Sequence, residues 1–239
     1  MLGYIKVMRP PLALMGFLAP LCIGLHYSVD DKILFLLFLS IGFGNLSFLI
    51  LNEVRDYPQD KVIKPWKPIP MGEVNPVKAL DLAGVFLLIS LCSLLILILS
   101  DWRYVIGLLG YTTAVIYNVL KIREIFGNIC LGLTYFISAF MSTGLSDLLF
   151  PLAFMILTIA HNFGVQLQDL PGDKVAGVKT APIVIGEQQT TALSMVLSII
   201  AGVTFIYIGQ LWCIPFMFAS VLVFVGVVVG EFELFIRKK

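Results

Sequence analysis

The sequence predicts an all-α protein, a polytopic transmembrane bundle of about eight helices around a central lipid-accessible cavity that is capped by cytoplasmic loops. Hydrophobic residues make up 59% of the 239 residues and charged residues only 13%, and the mean hydropathy is +0.98. Apolar stretches of spanning length recur along the chain, and basic residues collect in alternate gaps between them. This composition excludes a soluble globular domain. We therefore expect a single transmembrane domain over residues 1–239.

The apolar stretches give the predicted helices in chain order. Each is long enough to cross a bilayer or nearly so, and each is almost free of charge. The predicted spans are Pro11–Tyr27, Ile33–Leu51, Leu82–Ser100, Tyr104–Leu120, Ile125–Ser146, Leu148–Leu167, Ala192–Ile208 and Leu211–Gly230. Two longer polar segments, 53–78 and 168–189, interrupt the pattern and are rich in proline or glycine. We expect them to form cap loops, with a short helix at the start of the first.

The basic residues predict the orientation of the chain. With an even number of spans, all of the 16 basic residues except Lys32 and Arg103 fall on one side. Because loops rich in Lys and Arg tend to stay cytoplasmic, both termini and both cap loops are predicted to be cytoplasmic. The net charge of +1 does not imply a nucleic-acid partner. The 4 cysteines all fall in apolar spans, so we interpret them as small buried hydrophobes.

Two pairs of aspartates follow the second and sixth spans directly. Asp56 and Asp60 form one pair and Asp169 and Asp173 the other, each with four-residue spacing that places two carboxylates on one helical face. Carboxylates gathered at a membrane mouth would repel one another unless a hard cation lay between them. Asp oxygens suit Mg²⁺ bound to phosphates. The pairs therefore favour a diphosphate site, with Asn52 as an additional neutral oxygen ligand.

The same polar segments carry cations suited to the oxygens of a diphosphate. Arg55, Lys61, Lys67 and Lys174 lie within or beside the Asp pairs. Mg²⁺ and fixed positive charge together would neutralise a departing allylic diphosphate, while the apolar spans would shelter an isoprenoid tail from water. The alternative is that each Asp pair is an ordinary solvated helix face, which is the commoner role of one such pair taken alone.

Tyr117 and Lys121 share a helical face at the end of the fourth span, and Arg9 precedes the first span. Taken singly, Tyr117 is an interfacial aromatic and the two basic residues are anchors at the membrane surface. Their predicted position on the same side as the Asp pairs makes them candidates for the site.

These residues resemble the motifs of the UbiA-type intramembrane prenyltransferases. Asn52, Asp56 and Asp60 match the Asn-Asp-x-x-Asp-x-x-x-Asp pattern that this superfamily has after its second helix, and Asp169 and Asp173 match the Asp-x-x-x-Asp pattern after its sixth. The segments 64–72 and 177–186, and the stretch from Tyr117 to Lys121 followed by Gly127 and Asn128, are similar to further family motifs. Two departures occur. Glu53 stands where the family usually has Asp, and Lys67 where it usually has Arg.

The resemblance implies Mg²⁺-dependent transfer of a polyprenyl group from its diphosphate to a lipophilic acceptor in the membrane, with two Mg²⁺ ions bridging the diphosphate. Asp56, Asp60, Asp169, Asp173, Tyr117 and Lys121 would be catalytic, and Asn52, Arg9, Arg55, Lys61, Lys67, Lys174 and Asn128 would bind substrate. It also implies nine helices, one more than the apolar pattern contains.

The acceptor is left open. The motif forms are closest to members that geranylgeranylate geranylgeranylglyceryl phosphate in ether-lipid synthesis, an anionic acceptor that suits the basic face. Aromatic acceptors of the 4-hydroxybenzoate or naphthoate type, in quinone synthesis, and chlorins remain alternatives. A transporter of anionic metabolites is the non-enzyme alternative, although that function favours polar residues at mid-membrane.

Overall fold

The computed structural model of the chain describes residues 2–120 and 122–209, except for the side chain of Pro11. This part is helical, apart from connecting segments, one turn of 3₁₀ helix over Trp102–Val105 and an isolated bridge between Arg123 and Thr180. The helices are α1 (Leu2–Val7), α2 (Pro10–His26), α3 (Asp31–Ile63), α4 (Pro76–Ser100), α5 (Ile106–Asn118), α6 (Ile125–Ser142), α7 (Leu149–Ala176), α8 (Ala181–Ile185) and α9 (Glu187–Tyr207).

The all-α prediction is confirmed, and a helix covers most or all of every predicted span within the described residues. Among the described helices, α3, α4, α6, α7 and α9 are long and apolar enough to cross a membrane. The apolar part of α2, Leu12–His26, is shorter, and α5 has only 13 residues. The predicted eighth span, Leu211–Gly230, and Lys121 lie outside the described residues.

The caps begin later than the sequence predicts. α3 continues through the first Asp pair to Ile63 with Pro58 inside it, and α7 continues through the second pair to Ala176 with Pro171 inside it. A proline removes one helical hydrogen bond, but packing along the rest of a long helix outweighs that cost. Val54 and Tyr57, in the turn before Pro58, pack against the apolar core, which explains why α3 does not end there. Both Asp pairs are therefore carried on rigid helices rather than on loops.

The chain forms two compact units. In its described part, the first unit comprises residues 2–120 and Ile137–Asp147, and α3 packs between α2 and α4 in it. The helices approach closely at small residues, since the Phe17 ring of α2 lies where a Cβ of Gly42 would be. Polar contacts join the spans: the Ser47 hydroxyl donates to the Ala83 carbonyl at 2.8 Å. Small residues and hydroxyl groups of this kind are typical of helix packing in membranes.

The segment between α3 and α4 is an ordered cap over this unit. Ile69 and Val74 from the cap are buried together with Val7 of α1 and Ile50 of α3. The cap ends at Asn75, whose side chain accepts hydrogen bonds from two backbone amides in the first turn of α4. Buried apolar contacts at one end and a helix cap at the other thus fix the path of this proline-rich segment.

The second unit comprises Ile122–Phe136 and, in its described part, residues 148–209. α7 packs along α9, where the Ser194 hydroxyl donates to the Ala160 carbonyl at 2.8 Å and the Phe150 and Phe205 rings lie 5.6 Å apart. α7 ends at Gly177, which adopts a left-handed conformation with φ of 67° and donates to the Asp173 carbonyl. Glycine makes this turn without strain, and the chain then leads through α8 into α9.

Candidate active site

The polar end of α3 carries a row of acidic side chains on its buried face. Glu53, Asp56 and Asp60 are only 5%, 9% and 5% exposed, and Asn52 is half-buried. Positions 52, 56 and 60 follow one another at four-residue intervals, so they lie on one face of a continuous helix. Buried carboxylates need cations or hydrogen-bond donors, because desolvation penalises their charge. The burial of this row differs from that of a solvated helix face.

Two predicted cations, Arg9 and Lys67, contact this row directly. Nε of Arg9 donates to Oε1 of Glu53 at 2.7 Å, and Nη2 of Arg9 pairs with the same oxygen. Nζ of Lys67 lies 2.7 Å from Oδ2 of Asp60 and 3.2 Å from Oε2 of Glu53. The first unit therefore brings Arg9, Lys67 and Asp60 together, with Glu53 between them.

The other cations predicted near the first Asp pair have different contacts. Arg55 is exposed, and its Nε donates to the Val119 carbonyl at 3.2 Å. This hydrogen bond joins the polar end of α3 to the end of α5. Lys61 is also exposed, with Nζ 4.6 Å from the centre of the Tyr57 ring, which is a cation–π contact.

Tyr117 lies half-buried in the last turn of α5. It is two residues before Val119, the residue that accepts the hydrogen bond from Arg55. The structure thus places the end of α5, which carries Tyr117, beside the acidic end of α3. Lys121, the other predicted residue of this helix end, is outside the described residues.

The second Asp pair occupies the last turns of α7. Asp173 is 5% exposed, Asp169 is half-buried, and Lys174 next to them is exposed. The backbone carbonyl of Asp173 also accepts the hydrogen bonds from Gly177 and Val178 that end the helix. Asp173 is therefore held both by its own helix and by the turn that follows it.

Asn128, which is predicted to bind substrate, lies in the interior of the second unit. It has no exposed surface. Its Oδ1 accepts from Nδ2 of Asn162 at 2.5 Å and from Nε2 of Gln166 at 3.3 Å, and its Nδ2 donates to the Glu124 carbonyl at 2.8 Å. Because protein partners surround the amide, Asn128 supports the interior of the second unit.

Gln166 and Asn162 were not identified by sequence reasoning. Gln166 accepts from the backbone amide of Ala181 at 3.1 Å and donates to the Arg123 carbonyl at 3.1 Å, so it connects α7 to the start of α8 and to the segment before α6. The sequence feature that could have identified these two residues is their spacing, since positions 162, 166, 169 and 173 follow one face of α7. The second Asp pair thus continues a row of buried amides.

The donor set suits a hard divalent cation. Among the described residues, no group of three or more His, Cys, Asp or Glu side chains is arranged so that it could hold a metal ion by itself. Mg²⁺ is usually bound by one or two carboxylates together with substrate phosphates, rather than by an all-protein cage. The buried carboxylates of Asp56 and Asp60, with Lys67 beside Asp60, fit that mode of binding.

The sequence of this chain matches a known family over nearly its whole length. Residues 12–239 match the model of the UbiA prenyltransferase family. The chain belongs to this family. It is therefore an integral membrane protein and a prenyltransferase, as predicted, and the transporter alternative is excluded.

Individual members of the UbiA family resemble the chain as well. It is 30% identical to the digeranylgeranylglyceryl phosphate synthase of Methanosphaera stadtmanae over 208 residues, which cover 82% of this chain and 74% of the relative. It is 28% identical to the enzyme of that name from Pyrococcus furiosus over 221 residues, or 87% and 78% of the two chains. The structure of a UbiA homolog from Archaeoglobus fulgidus bound to GPP and Mg²⁺ has a TM-score of 0.70 and 19% identity, covering 97% of this chain and 86% of that one. This likeness confirms the UbiA fold.

Proposed function

We propose that this protein is a Mg²⁺-dependent prenyltransferase that moves a geranylgeranyl group from its diphosphate to geranylgeranylglyceryl phosphate, as in ether-lipid synthesis. In this reaction, the bond between C1 of the prenyl chain and the diphosphate oxygen breaks, and the electron pair leaves with the diphosphate. The glyceryl hydroxyl oxygen then bonds to C1 and loses its proton. The observation that carries the proposal is the buried row of carboxylates beside Arg9 and Lys67, at the polar end of a membrane-spanning helix.

The acidic residues have the role of Mg²⁺ ligands in this proposal. Asp56 and Asp60 on α3, with Asn52 as a neutral oxygen ligand, would bind Mg²⁺, and so would Asp169 and Asp173 on α7. When bound, Mg²⁺ neutralises the charge that develops on the leaving diphosphate. The Archaeoglobus homolog, which has the same fold, was solved with GPP and Mg²⁺, and this supports Mg²⁺ as the cofactor.

The basic residues have the role of diphosphate ligands. Arg9 and Lys67 are the strongest candidates because they lie against the carboxylate row. Arg55, Lys61 and Lys174 are exposed and are proposed to supply further positive charge around the diphosphate. Tyr117 at the end of α5, and Lys121 after it, are proposed to act beside the first Asp pair.

The acceptor is inferred from the relatives and from charge. The curated relatives described above are digeranylgeranylglyceryl phosphate synthases, and they match most of this chain. An anionic glyceryl phosphate also suits a protein face on which nearly all of the basic residues collect. An aromatic acceptor of quinone synthesis, or a chlorin, is the second candidate and would use the same diphosphate chemistry.

A competition assay tests the acceptor. Purified protein with Mg²⁺ and geranylgeranyl diphosphate is offered geranylgeranylglyceryl phosphate and 4-hydroxybenzoate together, and the products are identified by mass. We expect the diether product in excess. A prenylated ring as the main product would overturn the proposed acceptor while leaving the prenyltransferase assignment intact.

We also propose that the Asp-bearing ends of α3 and α7 face the cytoplasm. The excess of basic residues on that side supports this orientation. Val62 beside the first Asp pair and Trp102 beyond α4 are each 75% exposed, so a cysteine at either position is open to labelling. In a background without Cys22, Cys92, Cys130 and Cys213, a membrane-impermeant maleimide should label Val62→Cys only from the cytoplasmic side and Trp102→Cys only from the other side. The reverse pattern would contradict the orientation.

A further inference from the structure

Glu53 contacts two cations, Arg9 and Lys67, at the same time. It comes from α3, Arg9 from the break between α1 and α2, and Lys67 from the cap. Oε1 accepts hydrogen bonds from Nε and Nη2 of Arg9, and Nζ of Lys67 lies 3.2 Å from both Oε1 and Oε2. A carboxylate that is 5% exposed thus joins cations from two segments that are far apart in the sequence.

The contacts of Glu53 differ from those required of a metal ligand. Both of its oxygens already have a cationic partner within hydrogen-bond distance, and those partners offset its charge. A divalent cation would have to displace an arginine whose guanidinium cannot lose its charge. Asp60 pairs with Lys67 through Oδ2, whereas Glu53 has a cation on each of its two oxygens.

We propose that Glu53 is a positioning residue that holds Arg9 and Lys67 where they meet the diphosphate of the prenyl donor, and that it does not bind Mg²⁺. This inference rests on the proposed function, because it assigns the two cations to the donor diphosphate. Arg9 has φ of 49°, in the left-handed region that a non-glycine residue rarely adopts. The bonds of its side chain to Glu53 help to hold that junction in place.

The length of the Glu53 side chain is part of the arrangement. The additional methylene group, compared with Asp, carries the carboxylate further from α3, so that it reaches Arg9 as well as Lys67. We expect Glu53→Asp to keep the negative charge but to weaken one of the two contacts. Glu53→Asp should therefore raise the KM for prenyl diphosphate, as Glu53→Gln does, but by a smaller factor.

The test compares Glu53→Gln with Glu73→Gln, a matched change in the same part of the first unit. Glu73 pairs with Lys6 at 3.6 Å, and both side chains are well exposed, so this ion pair contributes little to stability. For Glu53→Gln, we expect the KM for prenyl diphosphate to rise by about tenfold, the loss expected for charged hydrogen bonds. The Mg²⁺ concentration for half-maximal activity should stay within about twofold of wild type, and Glu73→Gln should change neither value.

Two results would overturn the inference. If Glu53→Gln raised the Mg²⁺ requirement and left the KM at saturating Mg²⁺ unchanged, Glu53 would be a metal ligand. If neither quantity changed, Glu53 would have no role in donor binding. A double variant, Arg9→Gln with Glu53→Gln, adds a further criterion. Its KM for prenyl diphosphate should match that of the worse single variant. If the two single increases in KM multiplied in the double variant, the two residues would act independently.

Binding measurements separate this inference from the proposed function. Inorganic diphosphate binding and Mn²⁺ binding are measured on the purified protein without any acceptor, so a wrong acceptor, or failure of prenyl transfer, does not affect them. Glu53→Gln should weaken diphosphate binding and leave Mn²⁺ binding unchanged, and the opposite result would overturn the inference. If Glu53→Gln does not fold, Glu53→Asp is measured in the same way, with the same expected direction.

Discussion

Asn128 has no exposed surface, and its amide exchanges hydrogen bonds with the side chains of Asn162 and Gln166. Amides in a row of this kind satisfy one another, and loss of one member leaves the others unpaired in the protein interior. Because the Gln166 side chain also accepts a hydrogen bond from the backbone amide of Ala181, the row of amides fixes the chain on either side of Asp169 and Asp173. The effect of Asn128 on catalysis should therefore come through structure rather than through contact with substrate.

Replacing Asn128 by alanine tests this role. We expect Asn128→Ala to destabilise the protein by about 1–3 kcal/mol, because buried amide groups lose their partners. Thermal unfolding in detergent measures the change. Asn118→Ala is the matched control, since that half-buried amide donates only to the Ala114 carbonyl of its own helix. A raised KM for Asn128→Ala without a loss of stability would instead favour direct binding of substrate.

At the scale of single residues, the sequence predicts the acidic positions well but not their partners. The four-residue spacing of Asp56 and Asp60 is local, and a helix places both on one face. The pairing of Arg9 with Glu53 joins residues 44 positions apart. It depends on how α1, α2 and the cap pack, which no local pattern records. The role of Gln166 could not be predicted for the same reason, since it depends on hydrogen bonds with Arg123 and Ala181, which are distant in the sequence.

At the scale of helices, spans and polar gaps are predictable from apolar runs, but helix ends are not. Pro58 and Pro171 favour a break after each span, yet both lie inside helices. Local proline chemistry competes here with the packing of a helix of 33 residues in α3 and 28 residues in α7, and packing wins. The consequence for function is that rigid helices carry both Asp pairs.

The contact between α2 and α3 gives a prediction at this scale. A Cβ at Gly42 would overlap the Phe17 ring, whereas a Cβ at Gly84 on α4 would meet nothing within 4 Å. Gly42→Ala should therefore cost about 1–3 kcal/mol through overpacking. Gly84→Ala should be neutral or stabilising by about 0.5–1 kcal/mol, because alanine favours helix. Thermal unfolding of both variants in detergent checks the pair, and equal effects would contradict the packing described for Gly42.

At the scale of the whole molecule, composition alone predicts the class of the protein. Apolar runs and the uneven distribution of basic residues predict a multi-span membrane protein, and the order of the motifs predicts the family. The acceptor cannot be predicted in this way, since it depends on the shape of a cavity and not on any motif. The division into two compact units is likewise a property of the packing.

Both Asp pairs are proposed to support Mg²⁺-dependent cleavage of the prenyl diphosphate. The most direct measurement is diphosphate release by wild type, Asp56→Ala and Asp169→Ala, with and without Mg²⁺. Asp81→Ala is the control, because Asp81 is an exposed carboxylate at the start of α4. We expect release to require Mg²⁺ and to fall by about a hundredfold or more in each site variant, with unfolding temperatures and the Asp81→Ala rate unchanged. Release that persists in Asp56→Ala or Asp169→Ala, or that needs no Mg²⁺, would contradict the account.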